Sequence, residues 1–296
     1  MILVTGAAGK TGKAVVKALA ARGANVRALV RRPEHTEALR ALGAADISIG
    51  SFDDAGALAH AAAGTRAIYH ICPNVSPHEV AYARAVATAA QTQNVARFVY
   101  HSVLHPQIEA MPHHWQKMRT EEMLFAGGFD LTILQPTAYM QNILGVWPGI
   151  VAEGAFRVPY PVETRLSLVD LDDVAEAAAL VLTTNGYSGA TYELVGTSPL
   201  SQTEVAAAIG EALKRNVRAE AETVEAWEAR ARASCMGEHE RMTLTAMFHY
   251  YAEHGLVGNP NTLSWLLGRV PNSLARCLGR VAGSWKPEQP VNDTFQ

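Results

Sequence analysis

The sequence predicts an α/β fold, a doubly wound parallel sheet carrying a smaller, mostly helical C-terminal lobe. Three observations predict it. Short apolar, β-branched runs recur through the first two thirds of the chain, stretches with helical spacing separate them, and a glycine triplet stands between the first run and the first helix. Strand and helix in alternation mean parallel strands joined by crossover helices, with helices on both faces of one sheet.

Seven runs read as buried strands: 2–6 (ILVTG), 26–30 (VRALV), 47–50 (ISIG), 67–72 (AIYHIC), 97–102 (RFVYHS), 131–136 (LTILQP) and 191–196 (TYELVG). Helical spacing appears between them, as in Val15, Val16, Leu19 and Ala20, or Val80, Ala83, Ala87 and Ala90. Ser76, Pro77 and Glu79 read as a cap, a first-turn proline and a capping-box acid, and Ser201 with Glu204 repeats the box. After Pro136 the alternation loosens into Gly and Pro loops at 145–165, a return helix near 170–184, the last strand, and a mostly helical region to Trp285. Residues 1–136, rejoined by 164–196, are expected to form the sheet domain. Residues 137–163 and 197–296 are expected to form a lobe over the carboxyl edge of the sheet, where ligands bind in such folds. The tail KPEQPVNDTFQ reads as frayed.

Composition narrows the function. A chain of 296 residues, 49% hydrophobic and 18% charged, can bury a full core without staples. Its net charge of −3, with Lys and Arg scattered, carries no footprint for nucleic acid. Cys72, Cys235 and Cys277 are odd in number and include no C-x-x-C pair, which argues against a disulfide framework and a zinc cluster, and fits a reducing compartment. The chain opens directly on the apolar run MILVTG, without the basic and long hydrophobic regions of a signal, so no secretory leader is expected. The uncharged stretch from Leu131 to Ala152 contains Gln135, Gln141, Asn142 and two prolines, so it reads as a buried strand and loop, not a membrane span. A cytoplasmic protein is expected, with a homodimer left open.

The segment ILVTGAAGKTGKAVVKAL places Gly6, Gly9 and Gly12 between a strand and a helix. Gly6 permits a tight turn, Gly9 lets backbone approach a pyrophosphate, and Gly12 lets the helix pack closely on the strand. The helix N-terminus then offers unpaired N–H groups and a positive dipole to the anion. The pattern reads as the dinucleotide loop of a Rossmann-type domain, against the alternative of a strand-to-helix turn with incidental glycines. A phosphate-loop NTPase needs a glycine five positions before Gly9, where this chain has Val4. Position 31 bears on the cofactor: NAD sites place an acid at the end of the second strand, and this chain has Arg31 and Arg32, whose guanidinium groups suit a 2′-phosphate. NADP(H) is favoured over NAD(H), with Lys10 as a further contact.

With GAAGKTG, the chain carries FVYHSVLHP at 98–106, HHWQKMRTEEML at 113–124, LTILQPTAYMQN at 131–142 and GNPNTLSWLLGRVP at 258–271. On these segments it resembles the NmrA-like branch of the atypical short-chain dehydrogenases/reductases, together with the NAD(P)H quinone oxidoreductases and azoreductases of that group, from Met1 to about Trp285. The resemblance implies that Gly6, Ala8, Gly9, Lys10, Thr11, Gly12, Arg31 and Arg32 hold the dinucleotide, with Asp53 near the adenine. It further implies that Ile71, Cys72, Pro73, Ser102 and Val103 line the ribose and nicotinamide path, and that Pro136, Thr137 and Tyr139 flank the ring.

Ordinary short-chain dehydrogenases work with Y-x-x-x-K, and none of this chain's nine tyrosines has a lysine four residues later. His113 with Lys117 stands in its place, an H-x-x-x-K variant that resembles NmrA itself. Lys117 is a candidate ribose clamp or acid, against the alternative of an exposed lysine paired with Glu121 at i,i+4. His113 is a candidate proton donor, against a surface histidine at a helix start. Asp170, Asp172 and Asp173 read as acids satisfying a helix N-terminus, not as metal ligands, and His101, His105 and His114 show no metal-ligand spacing. Phe248, Tyr250, Tyr251 and Trp265 read as lobe core, with one or two available to cover a planar substrate.

The leading expectation is an NADPH-dependent reductase delivering hydride to a planar, electron-poor quinone or azo compound. The alternative is a non-catalytic NADP(H)-binding redox sensor acting through a protein partner. A nucleotide-sugar epimerase or dehydratase would require the missing tyrosine.

Overall fold

The computed structural model describes residues 1–285, so the terminal segment read as frayed lies outside the described residues. Strands and helices alternate through the first half: β1 (Ile2–Val4), α1 (Lys10–Ala21), β2 (Val26–Val30), α2 (Thr36–Ala41), β3 (Asp46–Ile49), α3 (Ala55–Ala62), β4 (Ala67–His70), α4 (Glu79–Thr92), β5 (Arg97–His101), α5 (Pro112–Phe125) and β6 (Asp130–Pro136). Then come β7 (Ala138–Tyr139), a 3-10 stretch over Met140–Val146, α6 (Trp147–Glu153), β8 (Ala155–Val158), β9 (Leu168–Val169), α7 (Leu171–Thr183) and β10 (Ala190–Leu194). The remainder is α8 (Gln202–Leu213), β11 (Arg218–Ala221), α9 (Val224–Ala233), α10 (Glu238–His254), α11 (Asn261–Leu267) and α12 (Leu274–Ser284).

All seven runs read as strands enter one parallel sheet of order β10-β6-β5-β4-β1-β2-β3. Its residues divide by parity. Ile2 and Val4 pack with Val15, Val16 and Leu19 of α1 and Val174 and Ala178 of α7, whereas Leu3 joins Leu58 of α3, Val86 of α4 and Leu124 of α5 on the opposite face. Successive strand side chains point to opposite faces, so runs covered on both sides must be apolar throughout, as these are. The order of strands reverses between β1 and β4, and in such folds the crevice at the carboxyl edge of that switch point is where ligands bind.

A separate apolar cluster joins Trp147, Ile150, Phe156, Ile209 and Leu278 to Leu104 and Met111, which follow β5. This core therefore abuts the carboxyl end of the sheet. The stretch from Leu131 to Ala152 is β6, β7, the 3-10 stretch and most of α6, and among the described residues no helix is long and apolar enough to cross a membrane.

Two helix starts contrast. Ser201 and Glu204 form the expected reciprocal capping box at α8. The box read at Ser76 and Glu79 does not form: α4 begins at Glu79, His78 is its cap residue, and Ser76 Oγ accepts from the His78 N–H at 3.1 Å. Glu79 is fully buried and committed elsewhere, which removes it from the cap.

Candidate active site

The glycine loop is shaped by contacts a side chain would break. Gly6 adopts φ +58°, and a Cβ there would lie 2.7 Å from the Ile71 carbonyl oxygen. A Cβ on Gly12 would lie 2.3 Å from the Gly6 carbonyl oxygen, so only glycine lets α1 start this close to the turn. Gly9 is the cap residue of α1, in extended conformation, with no side-chain cap and no acid in the first turn. The helix therefore begins with N–H groups free for an anion, in a cradle that fits a pyrophosphate.

The other expected cofactor residues gather along the same edge. Arg31 and Arg32 follow β2 and are exposed; Arg32 pairs with Glu34 at 3.2 Å, and Arg31 has no ion-pair partner among the described residues. Partial burial and the neighbouring Asp53 carboxylate raise the Tyr82 phenol while Arg31 lowers it, which puts Arg31, Asp53 and Tyr82 in one neighbourhood. Phe52 stacks on Tyr82 with centroids 5.1 Å apart. Ile71, Cys72 and Pro73 follow β4, and Thr5 ties the first to the loop through its Oγ1, which accepts from the Ile71 N–H at 3.1 Å. Burial and the Glu79 carboxylate push the Cys72 thiol up, so it stays protonated.

Several side chains expected to face the ring are turned inward. Ser102 is fully buried, and its hydroxyl donates to Glu121, which also accepts from Gln135 Nε2 at 2.9 Å. Thr137 donates to the Ser167 carbonyl at 2.9 Å. Val103 is partly exposed and Pro136 buried at the end of β6. Ala8 is half-buried beside α1.

Lys117 is neither exposed nor paired with Glu121. It is 3% exposed, its Nζ donates to Glu79 Oε1 at 2.9 Å and to the His101 carbonyl at 3.0 Å, and Tyr100 donates to the same Glu79 oxygen at 2.7 Å. His113 lies half-buried with Nδ1 enclosed and unpartnered among the described residues. Burial first, then the Lys117 ammonium, holds its pKa well below the usual histidine range, so the ring is a neutral imidazole near pH 7.

Tyr139 reaches the loop. Its hydroxyl lies 3.5 Å from Thr11 Oγ1 on the first turn of α1 and 2.7 Å from His101 Nε2, and the Lys10 ammonium stands 5.6 Å from its ring centroid. Lys10 also donates to Asn142 at 3.0 Å, giving a second bridge across the crevice. His101, Tyr69 and Asn142 carry no binding or catalytic role in the sequence reading, and Glu79 only that of a cap acid, because their side-chain partners lie 21 or more residues away.

The acids at 170–173 behave as helix-start residues with added partners. Asp170 caps α7 through the Asp172 N–H and meets Arg280, and Asp173 pairs with Arg269 at 2.7 Å. No grouping of three or more His, Cys, Asp or Glu suited to a metal occurs among the described residues. Phe248, Tyr250 and Tyr251 pack in the apolar cluster around Trp147 and Leu278, where Phe248 borders a cavity of about 550 Å³ lined also by Tyr160, Val162 and Val224. Trp265 departs from expectation: it is 77% exposed on α11.

A family model described as the NmrA-like family matches residues 1–281. The chain belongs to that family. The chain is 31% identical over 278 residues to NAD(P)H azoreductase of Xenophilus azovorans, spanning 93% of each protein. It is 26% identical over 283 residues to quinone oxidoreductase 2 of Escherichia coli, spanning 95% of this chain and 98% of that one. The crystal structure of the NADPH-dependent quinone oxidoreductase of Escherichia coli complexed with NADPH aligns at TM-score 0.83, with 26% identity, over 95% of this chain and 99% of that one. The similarity thus extends over the sheet and the helices that follow it.

Proposed function

We propose that this chain is an NADPH-dependent oxidoreductase that transfers hydride to a planar, electron-poor acceptor of the quinone or azo class. The observation that carries the reading is the start of α1 at the sheet's switch point, without a side-chain cap, with Arg31 free of ion pairs among the described residues at the end of β2 and Tyr139 against the first turn, in a chain whose full-length relatives are reductases. When bound, NADPH supplies the hydride.

The chain's own residues bind, orient and shield. First-turn amides of α1, with Gly6, Ala8, Gly9 and Gly12 clearing the way, take the pyrophosphate, and Lys10 and Thr11 border it. Arg31, with Arg32 behind it, takes the 2′-phosphate, and Asp53 with Tyr82 borders the adenine. Ile71, Cys72, Pro73 and Val103 wall the path to the ring, and Pro136 and Thr137 back it. An ammonium has three N–H groups, and the two bonds of Lys117 leave the third for a ribose hydroxyl. Residues 137–163 and 197–285 act as the lobe that closes the acceptor site from water, which hydride transfer needs more than it needs a special acid. A reducing, cytoplasmic setting accords with three unbridged cysteines.

Steady-state oxidation of NADPH with a panel of quinones and azo dyes tests the reading. Turnover with at least one class supports it. Tight dinucleotide binding without turnover on any acceptor would replace it with the NADP(H)-binding sensor that acts through a protein partner.

A further inference from the structure

Three side chains form a buried, directed line that ends at the dinucleotide crevice. Tyr69 Oη lies 2.5 Å from His101 Nδ1, and His101 Nε2 lies 2.7 Å from Tyr139 Oη. Tyr69 is wholly buried and has no other hydroxyl partner among the described residues. Its phenol is raised well above the usual range by burial and then by Tyr139, so it keeps its hydrogen and donates it to Nδ1. Burial, and next the Lys117 ammonium, keeps the His101 ring neutral. A neutral imidazole that accepts at Nδ1 carries its hydrogen on Nε2. That hydrogen points at the Tyr139 oxygen, which also accepts from the Thr11 hydroxyl at 3.5 Å, so Tyr139's own hydrogen is turned away from both, toward the crevice.

We propose that Tyr139 is the general acid of the reduction and that His101, oriented by Tyr69, is the positioning residue that makes it one. The proposal rests on the reductase reading and replaces the absent Y-x-x-x-K tyrosine with one from the β6–β7 side. The balance is simple. Hydride from the dihydronicotinamide adds to one end of the acceptor's N=N or quinone system, the displaced electron pair collects at the other end, and that atom takes the Tyr139 proton. The phenolate left behind accepts the His101 Nε2–H bond and the Thr11 hydroxyl bond, and the Lys10 ammonium stands 5.6 Å from its ring centroid. It regains a proton from water when product leaves, so NADPH, one proton and acceptor become NADP+ and the two-electron-reduced product.

The two acceptor classes separate this role from a structural one. An anionic hydroquinone oxygen is tolerable in water, whereas an anionic hydrazo nitrogen is not, so azo reduction depends more on the acid. Tyr139→Phe is expected to lower kcat on an azo dye about 100-fold, on a quinone by less than about tenfold, and to leave NADPH affinity within about twofold. His101→Leu should reproduce the azo-selective loss at roughly tenfold. His101→Gln should rescue it, because its amide oxygen can accept from Tyr69 while its N–H donates to Tyr139. Nitrogen-15 NMR of the cofactor-free protein should show His101 protonated at Nε2 and bare at Nδ1. Equal losses on both acceptor classes, retained azo turnover in Tyr139→Phe, or a proton on Nδ1 would overturn the proposal while leaving the reductase reading intact. A wild-type protein that reduces no acceptor would overturn both.

Discussion

The ammonium of Lys117 lies 2.9 Å from a carboxylate oxygen of Glu79, and both side chains are withdrawn from water. The pair bridges α5 to the start of α4, and its second bond, to the His101 carbonyl, fixes the end of β5 where the crevice begins. Breaking one side of such a pair leaves the other charge buried and uncompensated. Lys117→Met is therefore expected to destabilise the fold by about 3–5 kcal/mol in urea unfolding. The double variant Glu79→Gln with Lys117→Met should recover most of that loss; a double variant as unstable as Lys117→Met would show that packing, not charge, is what the lysine supplies.

Cofactor choice should rest on Arg31. It is exposed at the end of β2 with no ion-pair partner among the described residues, whereas Arg32 is already engaged by Glu34. Arg31→Asp is expected to weaken NADPH binding by about tenfold or more while changing NADH binding far less. Calorimetric titration of both dinucleotides checks it, and equal losses would remove Arg31 from the 2′-phosphate.

The glycine cradle makes a steric forecast. In Gly12→Ala the new Cβ would meet the Gly6 carbonyl oxygen at 2.3 Å, and backbone on both sides leaves no flexible atom to yield. α1 must back away from the turn, which is expected to cost about 1–3 kcal/mol of stability and to abolish measurable dinucleotide binding. Gly23→Ala is the control for a glycine outside the cradle: its Cβ meets nothing within 4 Å, so the strain of its φ of +73° lowers stability while dinucleotide affinity is kept.

Acid should unfold the protein through its buried histidines. Burial holds His114 down to about 4 and His70 down to about 3. Both lie below the unfolded value near 6.5, so between those limits the unfolded chain binds more protons than the native one. Their contribution is fully present above about pH 6.5 and is lost as pH falls through the window to about 4 and then about 3. His114→Asn, with an amide able to keep the bond to the His105 carbonyl, is expected to reduce the loss of unfolding free energy, measured by urea titration between pH 6.5 and 4, by an amount on the order of 3 kcal/mol. An unchanged acid limb would assign the acid sensitivity to other groups.

The architecture was largely legible in local sequence. Seven apolar runs became the seven strands of the main sheet, because a strand covered on both faces must be apolar throughout, and the Ser201–Glu204 box formed because all its partners lie within one turn. The equivalent pattern at Ser76 and Glu79 failed for the opposite reason: a buried lysine 38 residues away takes the Glu79 carboxylate. Trp265 illustrates another limit, since side-chain type favours burial but only packing decides which tryptophan obtains it.

The sequence alone determined the parallel sheet, the turn that needs Gly6 and Gly12, and the basic end of β2, since each depends on neighbours a few positions apart. Tertiary structure decided what the titratable groups do. It buried Lys117 against Glu79, turned the Ser102 hydroxyl toward Glu121, and set Tyr69, His101 and Tyr139 in one hydrogen-bonded line. Hydrogen-bond direction and desolvation belong to groups brought together from distant strands and helices, and no local pattern encodes which of them will meet.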